Sequence, residues 1–142
     1  MANRFALEPL IITKLAELSN VTIRKLSDLS SIHTDNETQP AIYVSWHGCA
    51  IDDSKRSGTH ALAVDTWMFI LAMVDSRPES TSQAAGSIIA DLLSLLNGWT
   101  PAGQTDTVRS AGEFRIVSSP SPYYRAGISF YPVVFTISMF IL

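Results

Sequence analysis

Apolar positions recur at helical spacing in two stretches of this chain and at strand spacing in several others. Leu7, Leu10, Ile11, Leu15 and Leu18 follow three- and four-residue steps, which gather on one helix face. Pro9 suits a helix start because its missing N–H would be unpaired there anyway. The pattern therefore predicts a helix opening at Glu8-Pro9 and ended by Asn20. Val21, Ile23 and Leu26 predict a short strand. The stretch from Ser27 to Pro40 is polar and reads as a loop. Ala41 to Trp46 is a β-rich run opened by Pro40, and Gly48 to Thr59 turns polar, as a long hairpin loop would.

From His60 to Asp75 runs the longest strand candidate. Alternation puts Trp67, Phe69, Leu71 and Met73 on one face and Val64, Met68, Ile70, Ala72 and Val74 on the other. A strand apolar on both faces is covered on both, and with so few helices the second cover is expected to be another subunit. Ser80-Thr81-Ser82-Gln83 has the form of a capping box and predicts the start of a second helix. Its face carries Ala84, Ile88, Leu92, Leu95 and Leu96, and Asn97-Gly98 supplies a stop. After a polar loop from Ala102 to Ser110, Phe114 to Val117 predicts a short strand. Ser118 to Tyr124, with Pro120 and Pro122, predicts a turn or irregular link. Tyr131, Val133, Phe135, Ile137, Met139 and Ile141 make one face of a last strand. Strands grouped between helices point to an α+β fold. The expected form is a mostly antiparallel sheet of four to five strands with two main helices packed on one face.

Composition narrows the function classes. The 142 residues are the size of one domain, read here as spanning 1–142. Only 16% are charged, against about 25% in an average domain, so a large core or a surface covered by partners is expected. Net charge is −3 and no cationic run exceeds the Lys55-Arg56 pair. A groove tracking nucleic-acid phosphates needs many cations on one face, so sequence-specific nucleic-acid binding is not expected. The run from Ile128 to Leu142 is shorter than the ~20 residues of a membrane-spanning helix and contains Pro132. It reads as a buried strand, with no membrane partner. Met1-Ala2-Asn3-Arg4 leads directly into an amphipathic stretch, unlike a signal peptide. Cys49, the single cysteine, fits a reducing compartment.

Candidate chemistry is sparse. His47 and Cys49 lie two apart, near Asp52 and Asp53, with His33 and His60 reachable only through the fold. A thiol nucleophile needs a base and a positive surround, and zinc needs about four ligands. The plainer reading is a hairpin end with an ordinary thiol. Asp65 and Asp75 are ten residues of strand apart, roughly 33 Å, and read as solvated charges at an edge or loop end. Ser118, Ser119 and Ser121 are not in a nucleophile elbow. Tyr123-Tyr124-Arg125 reads as packing or a protein contact. No catalytic, cofactor or metal residue is expected, and the chain reads as a non-enzyme.

Several motifs resemble the tail terminator, or tail completion, proteins of long-tailed phages, above all the small versions of Mu-like phages and prophages. They are Pro40-Ala41-Ile42-Tyr43-Val44 entering a strand, Asp65-Thr66-Trp67-Met68-Phe69-Ile70-Leu71-Ala72 as a long strand, and Leu92, Leu95 and Leu96 with Gly98-Trp99-Thr100-Pro101 closing the second helix. Tyr123, Gly127 and Tyr131 before the final strand complete the set. The resemblance implies a structural virion protein, assembled in the host cytoplasm, that forms a homo-hexameric ring at the head-proximal end of the tail. Such a ring caps the tail tube, ends its polymerisation and offers a surface to a head completion or connector protein, while DNA passes through its lumen. Asp52, Asp53, Lys55, Arg56, Trp67, Phe69, Trp99, Tyr123 and Tyr124 are the expected interface residues. The alternatives are another head–tail connector or tube-like subunit, and a small enzyme or ligand-binding α+β domain.

Overall fold

The computed structural model describes residues 7–19, 21–25, 40–57, 60–74, 78–101, 112–125 and 127–141. The side chains of 52–57, 60–61, 78–82 and 140–141 lie outside that description. In chain order the elements are α1 (Leu7–Leu15), β1 (Thr22–Lys25), β2 (Ala41–Ser57), β3 (His60–Val74), α2 (Pro78–Leu96), β4 (Arg115–Ser118), β5 (Tyr123–Arg125) and β6 (Ile128–Ile141). The strands form one six-stranded sheet in the order β1-β2-β3-β6-β4, with β5 also paired to β6. The class is α+β, with both helices on one face. Two details differ from expectation. The pair β1–β2 is parallel, so the sheet is mixed. A sixth strand, β5, occupies part of the expected irregular link, because three residues after Pro122 find the free edge of β6.

The polar stretch after Gly48 is strand rather than hairpin loop. β2 continues to Ser57 and β3 opens at His60. Composition misled because backbone pairing carries this hairpin: Cys49, Ala50, Ile51 and Asp52 lie opposite Asp65, Val64, Ala63 and Leu62. Between the pairs Trp46–Trp67 and Cys49–Asp65, β2 advances three residues and β3 two. The extra residue is a β-bulge, and Gly48 supplies its positive φ of 93°.

Alternation along β3 and β6 sets the two faces. Trp67, Phe69, Leu71 and Met73 meet Phe135, Val133, Tyr131 and Ser129 across the β3–β6 ladder. Leu7, Ile11 and Leu15 of α1 and Ala85, Leu92 and Leu96 of α2 pack on this face. Fully burying each large side chain contributes about 1.5–3 kcal/mol. Phe69 and Phe135 meet edge to face at 5.6 Å, which adds roughly 0.5–1.5 kcal/mol. Asp65, expected among solvated charges, is fully buried on this face beside the aromatic core. A carboxylate there is tolerated only with compensating polar contacts, and Asp65 is not without a partner. Asp75 and His33 lie outside the described residues.

The opposite face carries Ala41, Tyr43, Ile70, Ala72, Ile128 and Phe130 as a second cluster. None is more than 7% exposed in the single chain. Of the residues expected on this face, Ile70 and Ala72 are buried in the single chain, Val64 and Met68 are partly buried and Val74 is exposed, so the need for a second cover is limited to part of the strand.

Both helices end as the physics of their termini requires. In α1 the last turn tightens through Glu17 N–H to Lys14 O and Leu18 N–H to Leu15 O. The expected terminator, Asn20, is outside the described residues. α2 starts at Pro78, two residues before the expected cap, since proline is pre-formed for the first helical position. It stops where expected, with Gly98 at φ 85°.

Candidate assembly surfaces

The end of α2 is tied to the start of β4 by a compact set of contacts. Gly98 N–H donates to Phe114 O at 2.7 Å, and Phe114 N–H donates to Trp99 O at 2.8 Å. Asn97 Oδ1 accepts from Ile116 N–H at 3.1 Å. Trp99, half-buried, stacks on fully buried Phe114 at 5.5 Å and an interplanar angle of 8°. Lys14 of α1 lies 5.8 Å from the Trp99 ring centroid, within cation–π range. Trp99 thus closes the core beneath the helix end. Phe114 continues the aromatic contact to Phe135 at 6.4 Å.

This junction delivers β4 to the outer edge of β6. β4 pairs with β6 at Arg115–Thr136, Ile116–Phe135 and Ser118–Val134, and β5 pairs at Tyr123–Phe130, Tyr124–Ser129 and Arg125–Ile128. Between them sits Pro132. Its carbonyl accepts Ser119 Oγ at 3.3 Å, so it faces this edge. In an antiparallel strand a residue's N–H and C=O point the same way. The donor that proline lacks is therefore missing on this edge, where the flanking strand breaks at Pro120 and Pro122.

The edge is the most apolar exposed region among the described residues. Ile116 and Val117 of β4 and Tyr123 and Tyr124 of β5 are all exposed, Tyr124 at 65% and Val117 at 59%. Tyr123 lies flat on Phe130 at 4.8 Å, which fixes one ring and leaves its outer face free. Arg125 is exposed at the end of β5, and Arg115 is exposed and paired with Glu113 at 3.0 Å. Apolar side chains on short edge strands with unpaired backbone are a ready surface for another chain.

Beside the edge is an open groove of about 400 Å³, lined among others by Glu113, Arg115, Thr136 and Ser138. Its carboxylate and guanidinium are engaged with one another. His47 and Cys49 are exposed near the bulge of β2. Among the described residues no group of three or more His, Cys, Asp or Glu side chains could hold a metal ion. Nor, among the described residues, is any helix long and apolar enough to cross a membrane.

The expected interface residues divide four ways, with Trp99 half-buried against the core beneath the end of α2. Tyr123 and Tyr124 stand together on the outer edge. Trp67 and Phe69 are both fully buried against the helices, because the odd positions of β3 face α1 and α2. They hold up the sheet and cannot reach a partner, a correction to their expected place. Asp52, Asp53, Lys55 and Arg56 lie on the distal part of β2, and their side chains are outside the described residues. Ile116 and Val117 were missed. Their alternation marked a strand, but nothing in the sequence said that it would stand at the end of the sheet.

A model of the phage tail terminator protein family matches residues 1–142. The chain belongs to the phage tail terminator family. It is a structural protein of the phage tail, with its place in the virion. Family membership accords with the resemblance carried by the Gly98-Trp99-Thr100-Pro101 junction and the long central strand. One solved structure, titled "Virion of native gene transfer agent (GTA) particle", contains a similar chain. It is 17% identical, with 70% of this chain and 69% of that chain covered and a TM-score of 0.47. That degree of likeness carries no weight here. No curated protein matches this chain.

Proposed function

We propose that this tail protein is a non-enzymatic terminator. Copies assemble head to tail into a closed ring, a homo-hexamer in the arrangement the family implies, that seats on the finished tail tube. There it ends polymerisation and presents a surface to a head completion or connector protein. The observation that carries this reading is the family match along the whole chain. The β4–β5 edge supports it physically. A cyclic ring needs a surface on each subunit that meets a different surface on the next, and exposed Val117, Tyr123 and Tyr124 offer one such surface.

On this reading the charged residues of distal β2, namely Asp52, Asp53, Lys55 and Arg56, are candidates for the tube or connector contact. With a net charge of −3, the lumen has no need to grip the DNA that passes through it. The deciding experiment is electron microscopy of purified tails labelled for this protein. Label at the head-proximal end alone is the expected result. Label along the tube would make it a tube subunit, and label on the head alone would make it a connector component.

A further inference from the structure

A head-to-tail ring needs two different surfaces on each subunit, and the β4–β5 edge supplies only one. The layout of the sheet points to the other. Its three long strands, β2, β3 and β6, are flanked over only part of their length. On one side β1 pairs with Ala41 to Val44, and β2 runs on to Ser57. On the other side β5 and β4 pair with β6 between Ile128 and Thr136, and β6 runs on to Ile141. Beyond Val44 and Thr136 no strand among the described residues pairs with either outer edge.

The outer edge of β6 has a defined chemistry there. Its register with β3 runs unbroken from Ile128 to Ile141, so the backbone groups alternate strictly from side to side. The Pro132 carbonyl faces outward, to Ser119 Oγ. Ser138 lies an even number of residues further on, so its N–H and C=O face outward as well. The chain that could have continued β4 beside them turns away, because Phe114 is held at the end of α2 by its bonds with Gly98 and Trp99. The open groove lined by Glu113, Arg115, Thr136 and Ser138 lies at that departure. Ile137 to Ile141 contains no charge and no proline, two of the usual guards of a strand edge.

We propose that this edge of β6, centred on Ser138, pairs as a parallel strand with the outer edge of β2 beyond Val44 in the next copy of the chain. The proposal rests on the ring reading and supplies its second surface. Strand direction selects this occupant. β2 and β6 are both antiparallel to β3, so they run the same way. Rotation about an axis along the strands keeps that direction and sets β2 of one copy parallel to β6 of its neighbour. The outer edge of β2 already takes a parallel strand, β1, at Ala41 to Val44. The row Ala50, Val64 and Ser138, which shares one face of the sheet, would then continue from copy to copy, with α1 and α2 always on the opposite face. A two-fold pairing of β6 with β6 would instead close at two copies and leave β2 uncovered.

The test is hydrogen exchange on the full chain, read by mass spectrometry, in the assembled state and as the dilute single chain. The expected result is that the amide of Ser138 and amides within Ser45 to Ile51 slow by about tenfold or more on assembly. Thr136, already beside β4, should change little. An assembled sample in which only one of the two strands slows, or neither, overturns the pairing and leaves the ring standing. A chain that joins neither tails nor other copies overturns the ring reading and the pairing with it. Ser138→Pro gives a second readout. Pro132 shows that this strand accepts proline at a position of the same backbone direction, so the change removes an outward N–H and no bond to β3. The unfolding midpoint should stay near that of the parent while assembly is lost, and Ser138→Thr, which keeps the N–H, should assemble. A Ser138→Pro chain that folds and assembles like the parent overturns the proposal. Should that variant not fold, the exchange result decides alone.

Discussion

Two aromatic regions of the sheet have opposite fates. On the helix-facing side, Trp67, Phe69 and Phe135 lie under α1 and α2 with no exposed surface. On the β4–β5 edge, Tyr123 and Tyr124 are 45% and 65% exposed. Both regions use side chains that favour strands. What separates them is cover: α1 and α2 pack over the face that carries Trp67, Phe69 and Phe135, whereas β4 and β5 stand at the edge and cap only parts of one side of β6. Local sequence sets strand character. The element packed over it decides whether an aromatic ring is buried or exposed.

The comparison breaks most sharply at Trp67. Replacing it with alanine removes a fully buried ring that meets Phe135 across the ladder. Loss of a buried aromatic costs about 3–5 kcal/mol, a large share of the 5–15 kcal/mol that stabilises a typical domain. Trp67→Ala is expected to lower the denaturation midpoint severely or to leave no folded protein. Near-parental stability in a urea titration would remove Trp67 from the core.

A smaller loss is expected at the junction that delivers β4. Gly98 has φ 85°, and a side chain there would meet only Glu113 Oε2, at 3.9 Å. The strain of Gly98→Val is thus conformational rather than steric. It is expected to cost roughly 1–2 kcal/mol and to show as a lower unfolding midpoint. Gly98→Asn tests the cause, since asparagine tolerates the left-handed region better, and should recover much of the loss. Equal losses in both variants would point to a clash instead.

How much of this was legible in the sequence follows from which forces are local. Both helices, the alternation of β3 and β6 and the stop at Gly98 were readable, because periodicity and φ preference act within a few residues. The extent of β2 was not. Asp52 to Ser57 looks like loop by composition, and the paired β3 overrides that preference. The parallel β1–β2 pair was hidden because register depends on partners distant in sequence. Asp65 was read as solvated because an isolated acid in an apolar strand carries no sign of its polar partners. Tyr123 and Tyr124 were read as packing or a protein contact for want of a basic surround, and the structure leaves both exposed on the β5 edge. Trp67 and Phe69 were misplaced because a strand apolar on both sides does not say which side its own helices will cover.

The smallest effect on stability is expected at the edge, and there the comparison can be sharpened. Val117 and Tyr124 are more than half exposed, so their replacement leaves the core untouched. Threonine keeps β propensity while removing apolar surface, which makes Val117→Thr with Tyr124→Thr the suitable pair. Surface changes of this kind usually stay within about 0.5 kcal/mol, so the unfolding midpoint should scarcely move. If the edge joins subunits, the same pair removes apolar contact from every interface of a ring at once. The mass in solution, read by light scattering at matched concentration, should then fall toward that of one chain. Where the parent chain assembles only on tails, the equivalent readout is loss of label from the tail end. A double variant that keeps both its stability and its assembly would show that these side chains are merely exposed, and would move the ring contact to distal β2.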